Sequence, residues 1–340
     1  MTSPSDSLDL HSLAVLINYE RASGPVSDPR FRYAKLREVA SDGKFSTVAF
    51  PDRNQWDGVP DNRFKRGFLF DTILPPVDHD SEDDLPTNIL APRSEPSAAS
   101  LSAEELETIF WEVRGHDGCY QSIAIFQELA DLYKPSQPLR ICLRDGTDFI
   151  TSLSTRVILE FTLQEPKQTT LSVVLKTPRN ADAHVACQSR YTGESAKMLH
   201  SVWGFARPDE ENVSVVLDLA SMQFGAKGRG KSGDFFVLDT MDGWYDYLEQ
   251  IVRGCEPYRT SQTIRPGSDA ERENWYKKVA ERVKVRWEAR AVNHWCGLCG
   301  KLDAWKRCGR CKTEYYCSEA HSRTAWKHWH KKWCQPRAAN

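Results

Sequence analysis

Apolar positions along this chain fall into three textures. In the first 70 residues they come in short bursts: Ser46–Phe50 and Arg66–Phe70 read as strands, with Ser23-Gly24-Pro25 and Ser41-Asp42-Gly43 as turns. Leu8 to Ile17 is mildly apolar, interrupted by Asp9 and His11. A helical period then takes over. Ser102 and Glu105 have the Ser-x-x-Glu spacing of a capping box, which predicts a helix through about Val113. A second helix is expected from about Cys119 to Tyr133, with Ile123, Phe126, Leu129 and Ala130 on one face and Pro135 and Pro138 ending it. Residues 139–224 return to strand texture: Val157–Leu163, Leu171–Leu175, Val185–Ser189, Leu199–Phe205 and Val213–Leu219 follow at hairpin-length intervals. A helix over about Asp242–Val252 and a long amphipathic helix over Ser268–Arg290 close the series. In the latter, Ser268 and Glu271 form the capping box, and Trp275, Val279, Val283 and Trp287 recur every fourth residue.

This order predicts an α+β fold, mostly antiparallel sheet with helices, followed by a small cysteine-rich unit. The expected organisation is an N-terminal α+β segment over 1–74, a disordered acidic and Pro-rich loop over 75–100, and an α+β domain over 101–256. A connecting amphipathic helix over 268–291 then leads to the cysteine-rich unit at 292–336.

Composition narrows the function classes. The net charge of −2 gives no global attraction to nucleic acid or acidic membranes. No apolar run approaches the roughly 18 residues a membrane span needs, and the N-terminus lacks the basic and apolar regions of a signal peptide. The expected setting is therefore intracellular, cytoplasm or nucleus. The ten cysteines are distributed unevenly. Cys119, Cys142, Cys187 and Cys255 stand singly, as small core residues do in a reducing compartment.

The remaining six cysteines join two histidines in four pairs: Cys296-x2-Cys299, Cys308-x2-Cys311, Cys317-x3-His321 and His330-x3-Cys334. Eight ligands make two tetrahedral zinc sites with none left over. The Cys-x2-Cys pairs suit tight knuckles eased by Gly297, Gly300 and Gly309, and each i,i+4 pair shares one helix face. His328 and His294 fall outside the spacing. A disulfide framework would require a secreted context, so two structural zinc ions are the expected cofactors. Protein ligands fill every position, leaving none open for catalysis.

The pattern resembles the MYND zinc finger. Besides the ligands, the resemblance rests on Tyr315-Tyr316-Cys317-Ser318, on Trp326, and on the closing His330-Lys331-Lys332-Trp333-Cys334. It implies interleaved pairs: one zinc held by Cys296, Cys299, Cys317 and His321, the other by Cys308, Cys311, His330 and Cys334. His321 departs from the family, which usually has cysteine there. The resemblance also implies protein binding, commonly of proline-rich peptides, in a groove formed by a Gln after the sixth ligand and a Trp four residues on. Here those positions are Ser322 and Trp326, the expected partner-binding residues. Direct nucleic-acid binding is not expected, although Lys306, Arg307, Arg310, Lys312, Arg323, Lys327, Lys331 and Lys332 make the unit locally basic, because no base-reading helix is visible.

Three weaker signals remain. Gly225–Ser232 satisfies the Gly-x4-Gly-Lys-Ser expression of a phosphate-binding loop, but a strand rather than a helix seems written after it, which predicts a flexible basic hairpin loop. Asn293-His294-Trp295-Cys296 resembles a SET-domain motif only superficially, its cysteine being a zinc ligand. Cys119 near a helix start, with His200 and Asp218 on successive strands, follows the order of a papain- or transglutaminase-like triad, in which a histidine activates a thiol. The favoured reading is an intracellular zinc-binding adaptor or regulatory protein that recruits a protein partner through the finger. The alternative is a cysteine-dependent α+β domain, active or inactive, with the finger as its targeting module.

Overall fold

A computed structural model describes residues 7–28, 30–41, 44–48, 59–60, 62–74, 84–178, 186–264 and 269–335. The chain enters through a two-residue strand β1 (Leu8–Asp9) and helix α1 (Leu10–Ala22). Asp9 Oδ1 accepts the Ser12 amide at 2.8 Å and caps α1. Every α1 residue except Ser12 is buried, so the helix has no polar face and its sequence carries no amphipathic signature. Strands β2 (Lys35–Ala40) and β3 (Phe64–Leu74) pair antiparallel. Ser46–Val48 is not a strand, contrary to expectation. Its amides instead turn onto the buried Glu38 carboxylate, Ser46 N at 2.5 Å and Thr47 Oγ1 at 2.7 Å; Phe50 lies outside the described residues.

The described part of the expected disordered loop is ordered. Residues 84–100 fold against β2: Leu36 N donates to Ile89 O at 2.6 Å, Ala91 N to Leu36 O at 2.9 Å, and Ile89 and Ala98 are fully buried. Asp84 also meets the buried Arg114 guanidinium at 2.5 Å. Polar composition hid a segment whose few apolar side chains all find the core. Helix α2 (Ala103–Gly115) opens with the expected box, Ser102 Oγ accepting the Glu105 amide and Glu105 Oε2 accepting the Ser102 amide. Helix α3 (Gly118–Asp131) follows.

Strands β4 (Pro138–Cys142) and β5 (Asp148–Ser152) form a small sheet with β1. Next come β6 (Val157–Pro166), β7 (Gln168–Pro178), β8 (Ala186–Thr192), β9 (Lys197–Phe205), β10 (Val215–Asp218) and β11 (Val237–Thr240). Helix α4 (Met241–Ile251), β12 (Val252–Cys255), β13 (Arg259–Ser261) and helix α5 (Ala270–Glu288) complete the body. Two larger sheets result, in strand orders β2-β3-β7-β8 and β11-β10-β9-β6-β12, with β13 also on β6. All neighbours in them are antiparallel except β3 and β7. Residues 225–232 are not a flexible hairpin loop. Ser221–Arg229 is 3-10 helical with a kink at Gly225, Gly228 leaves no room for a Cβ against Ser221 O, and the strand starts only at Val237.

Helix α5 is more than a connector. Asp269, rather than Ser268 (outside the described residues), caps it, and Tyr276, Val279, Ala280, Val283 and Trp287 enter one core with α1 and α3. Among the described residues no helix is long and apolar enough to cross a membrane. The finger continues the same body. Its Cys296, Leu298, Cys299, Ala304, Tyr316 and Ala325 share a core with Phe31, Phe70, Trp111 and Phe235. Glu20, fully buried on α1, pairs with Arg286 of α5 at 2.8 Å, and Arg286 in turn donates to Gly300 O.

Candidate metal centre and a buried cysteine site

The finger contains little regular structure: a short pair β14 (Lys306–Arg307) and β15 (Tyr315–Tyr316), helix α6 (Glu319–Ala325), and a further helical stretch to Trp333. Each ligand pair is placed by a local rule. Gly300 N returns to Cys296 O at 2.8 Å and Lys312 N to Cys308 O at 3.1 Å, which closes the two knuckles. Gly300 has a positive φ of 80° and a Cβ there would lie 2.5 Å from Tyr19 Cβ, so glycine is required both for the turn and for docking on α1. Ser318 caps α6 by accepting the His321 amide at 3.1 Å, which puts Cys317 and His321 one turn apart.

Two ligand clusters result: Cys296, Cys299, Cys317 and His321, and Cys308, Cys311, His330 and Cys334. Their separations test the fit to zinc. A tetrahedron with metal–sulfur arms of about 2.3 Å has a sulfur–sulfur edge of about 3.8 Å and, with imidazole, a sulfur–nitrogen edge of about 3.5 Å. Cys299 Sγ and Cys317 Sγ are 3.7 Å apart, and Cys308 Sγ and Cys334 Sγ 3.8 Å. His321 Nδ1 lies 3.4 Å from Cys296 Sγ and 3.3 Å from Cys317 Sγ; His330 Nε2 lies 3.5 Å from Cys311 Sγ. Both donor sets fit zinc, with four protein ligands each, which is the arrangement of a structural site. Burial pushes the His330 imidazole down to about 4, keeping it neutral as a ligand must be. His294 stacks on Tyr315 at 3.8 Å, and neither it nor His328 joins a cluster.

The unusual ligand His321 has a function that cysteine could not serve. Its second nitrogen, Nε2, donates to Glu107 Oε1 of α2 at 2.9 Å, and Glu107 pairs with Arg229 at 3.5 Å. A carboxylate behind a metal-bound imidazole fixes its tautomer and ring plane. With 214 residues between Glu107 and His321, no local signal could have found this partner. A cleft of about 180 Å³ opens beside this site, bounded by Tyr19, Glu107, Trp111, Cys299 and His321. On the outer surface Trp326 is 36% exposed and Trp305 72%, while Ser322 is half-buried. Spacing did not single out Trp305.

The structure also brings Cys119, His200 and Asp218 together. Cys119 sits in the first turn of α3, His200 on β9 and Asp218 at the end of β10. His200 Nε2 lies 2.8 Å from Asp218 Oδ2, Asp218 Oδ1 accepts the Ala220 amide at 2.9 Å, and the Cys119 thiol hydrogen-bonds His200. Gln223 Nε2 is 3.1 Å from His200 Nδ1, and the Trp244 ring stacks alongside. Burial acts to lower the His200 pKa, but the Asp218 carboxylate and the Cys119 contact outweigh it and raise it to about 10.

Residues 296–334 match the MYND finger family. The same segment is 49% identical over 41 residues to Egl nine homolog 1 of Mus musculus, covering 12% of this chain and 10% of that protein. Over 41 residues it is 46% identical to Egl nine homolog 1 of Homo sapiens, covering 12% and 9%. The chain thus spans about a tenth of the length of the curated relatives it matches. No solved structure matches it.

Proposed function

Because residues 296–334 are a MYND finger, a module that mediates protein–protein interaction, we propose that this chain is a zinc-dependent adaptor that captures a protein partner on the outer face of the finger. The observation that carries this reading is the division of the finger into two faces. One is sunk into the core of the body, whereas the other leaves Trp326 and Trp305 open to solvent. Exposed indoles on a rigid support are typical anchors for a bound segment, and flat rings suit the faces of proline. The proposed ligand is a proline-rich peptide lying against Trp326 and Ser322, with the basic side chains of the finger favouring acidic flanks. In this reading the protein works in the cytoplasm or nucleus, where its ten free cysteines stay reduced.

The test uses the full-length, zinc-loaded protein and fluorescence anisotropy with a labelled proline-rich peptide. Trp326→Ala is expected to weaken binding about tenfold or more while the zinc content stays at two per chain. Unchanged binding by this variant would remove Trp326 from the interface, and binding that survives chelation of zinc would remove the finger.

A further inference from the structure

Beyond the adaptor reading, we propose that Cys119 is a nucleophile toward acyl compounds, in which His200 receives the thiol proton, Asp218 orients His200, and Arg21 holds the substrate oxygen that becomes anionic. Three observations, independent of the finger, converge on this thiol. First, the hydrogen-bonded order thiol, imidazole, carboxylate is complete, each member on a different element and the carboxylate itself anchored by the Ala220 amide. Second, access is graded. Cys119 retains 5% of its surface, while His200 and Asp218 behind it are fully buried. A nucleophile must meet its substrate; the groups that position its base need only be shielded from water.

The third observation is a buried cation with spare donors. Arg21 is 2% exposed, and its Nε and one terminal nitrogen, NH1, have no hydrogen-bond partner. That nitrogen lies 2.5 Å from where a Cβ on Gly118 would sit, against the first turn of α3 that carries Cys119. Its other terminal nitrogen donates to Leu219 O at 3.2 Å, so the guanidinium is held in place rather than free to swing out. At the same helix start, Asp117 occupies the cap position in a left-handed conformation and supplies no side-chain cap. Unpartnered N–H groups therefore gather around one thiol, as stabilisation of an oxyanion requires.

The step balances without an oxidant or metal. The Cys119 sulfur bonds to the carbonyl carbon of an ester, thioester or amide as its proton passes to His200, and the carbonyl π pair moves onto oxygen beside Arg21. When that oxygen re-forms its double bond, the bond to the leaving group breaks, the proton on His200 is available to it, and an acyl thioester remains on Cys119. Water, losing a proton to His200, then releases the carboxylic acid and restores the thiol. The raised pKa of His200 means that its imidazole holds a proton at neutral pH once it has received one.

The test uses p-nitrophenyl acetate on the full-length, zinc-loaded protein, reading p-nitrophenolate release together with intact mass and peptide mapping. The expected result is a burst of one equivalent and an acetyl group on Cys119, formed at least about tenfold faster than on the exposed Cys187 of the same molecules. This comparison within the wild-type protein does not depend on any variant folding. Cys119→Ala should abolish the burst, and Asp218→Asn should lower kcat about a hundredfold with KM within about twofold. Acetylation of Cys187 ahead of Cys119, or a burst that persists in Cys119→Ala, would overturn the proposal. Neither outcome bears on the finger, whose peptide test is separate.

Discussion

Replacing Glu107 with alanine removes the one acceptor that His321 Nε2 has on the body, a 2.9 Å hydrogen bond between groups each about 15% exposed. A charge-assisted hydrogen bond of this burial contributes about 1.5–3 kcal/mol, and loss of a carboxylate behind a zinc-bound imidazole costs about 10- to 100-fold in metal affinity. The two figures agree, since 100-fold is about 2.7 kcal/mol. The loss should fall on one site only. Cys308, Cys311, His330 and Cys334 make no contact with Glu107, so zinc release to a chromophoric chelator should become biphasic, one equivalent leaving at 10- to 100-fold lower chelator concentration and the other unchanged. The cleft beside the first site gives the chelator a way in. Glu107→Gln, which keeps a neutral acceptor, should fall between. In a His321→Cys background, which retains a zinc ligand but has no second nitrogen, the Glu107→Ala effect should vanish. If both zincs weaken equally, or if His321→Cys leaves the Glu107 effect intact, the imidazole–carboxylate link is not what ties the metal to the body.

Three further outcomes follow from the packing. Glu112 is fully buried, and burial, opposed by Arg66, pushes its carboxyl from an ordinary 4.5 up to about 7. A raised acid favours folding below pH 4.5 and loses that advantage as pH rises through 7, so Glu112→Gln should raise the melting temperature at pH 8, by at most roughly 3 kcal/mol in stability, and give no gain near pH 4.5. A pH-independent effect in thermal melts would contradict this. Glu20→Ala leaves the buried Arg286 without its carboxylate and should cost about 3–5 kcal/mol in denaturant unfolding; a loss below about 1 kcal/mol would mean that the pair is solvated. Chelating both zincs should lower the main melting transition of the body as well as that of the finger, because Cys296 and Tyr316 share a core with Phe70 and Trp111. An unchanged main transition by calorimetry would show that the finger folds apart from the body.

Legibility varied along the chain for physical reasons. The α2 capping box, the strand run from Val157 to Phe205 and the apolar stripe of α5 were readable because periodicity reports which face of an element is buried. Helix α1 escaped because a helix buried on all sides has no period, and residues 84–100 escaped because a polar segment with two or three anchoring apolar residues looks like a linker. Ser46–Val48 was misread because a buried glutamate can satisfy the amides that a neighbouring strand would otherwise take.

The zinc ligands were decided by the sequence alone, since chelation pairs are set by spacings of three or four residues on turns and helices that form locally once metal binds. The fold class was readable in the same way, from the succession of local periods. Tertiary structure alone decided what those residues meet. It set His321 against Glu107, sank one face of the finger into the body, and closed Cys119, His200 and Asp218 around Arg21. These contacts join positions far apart in the chain, and their geometry comes from how layers pack, which no local pattern encodes.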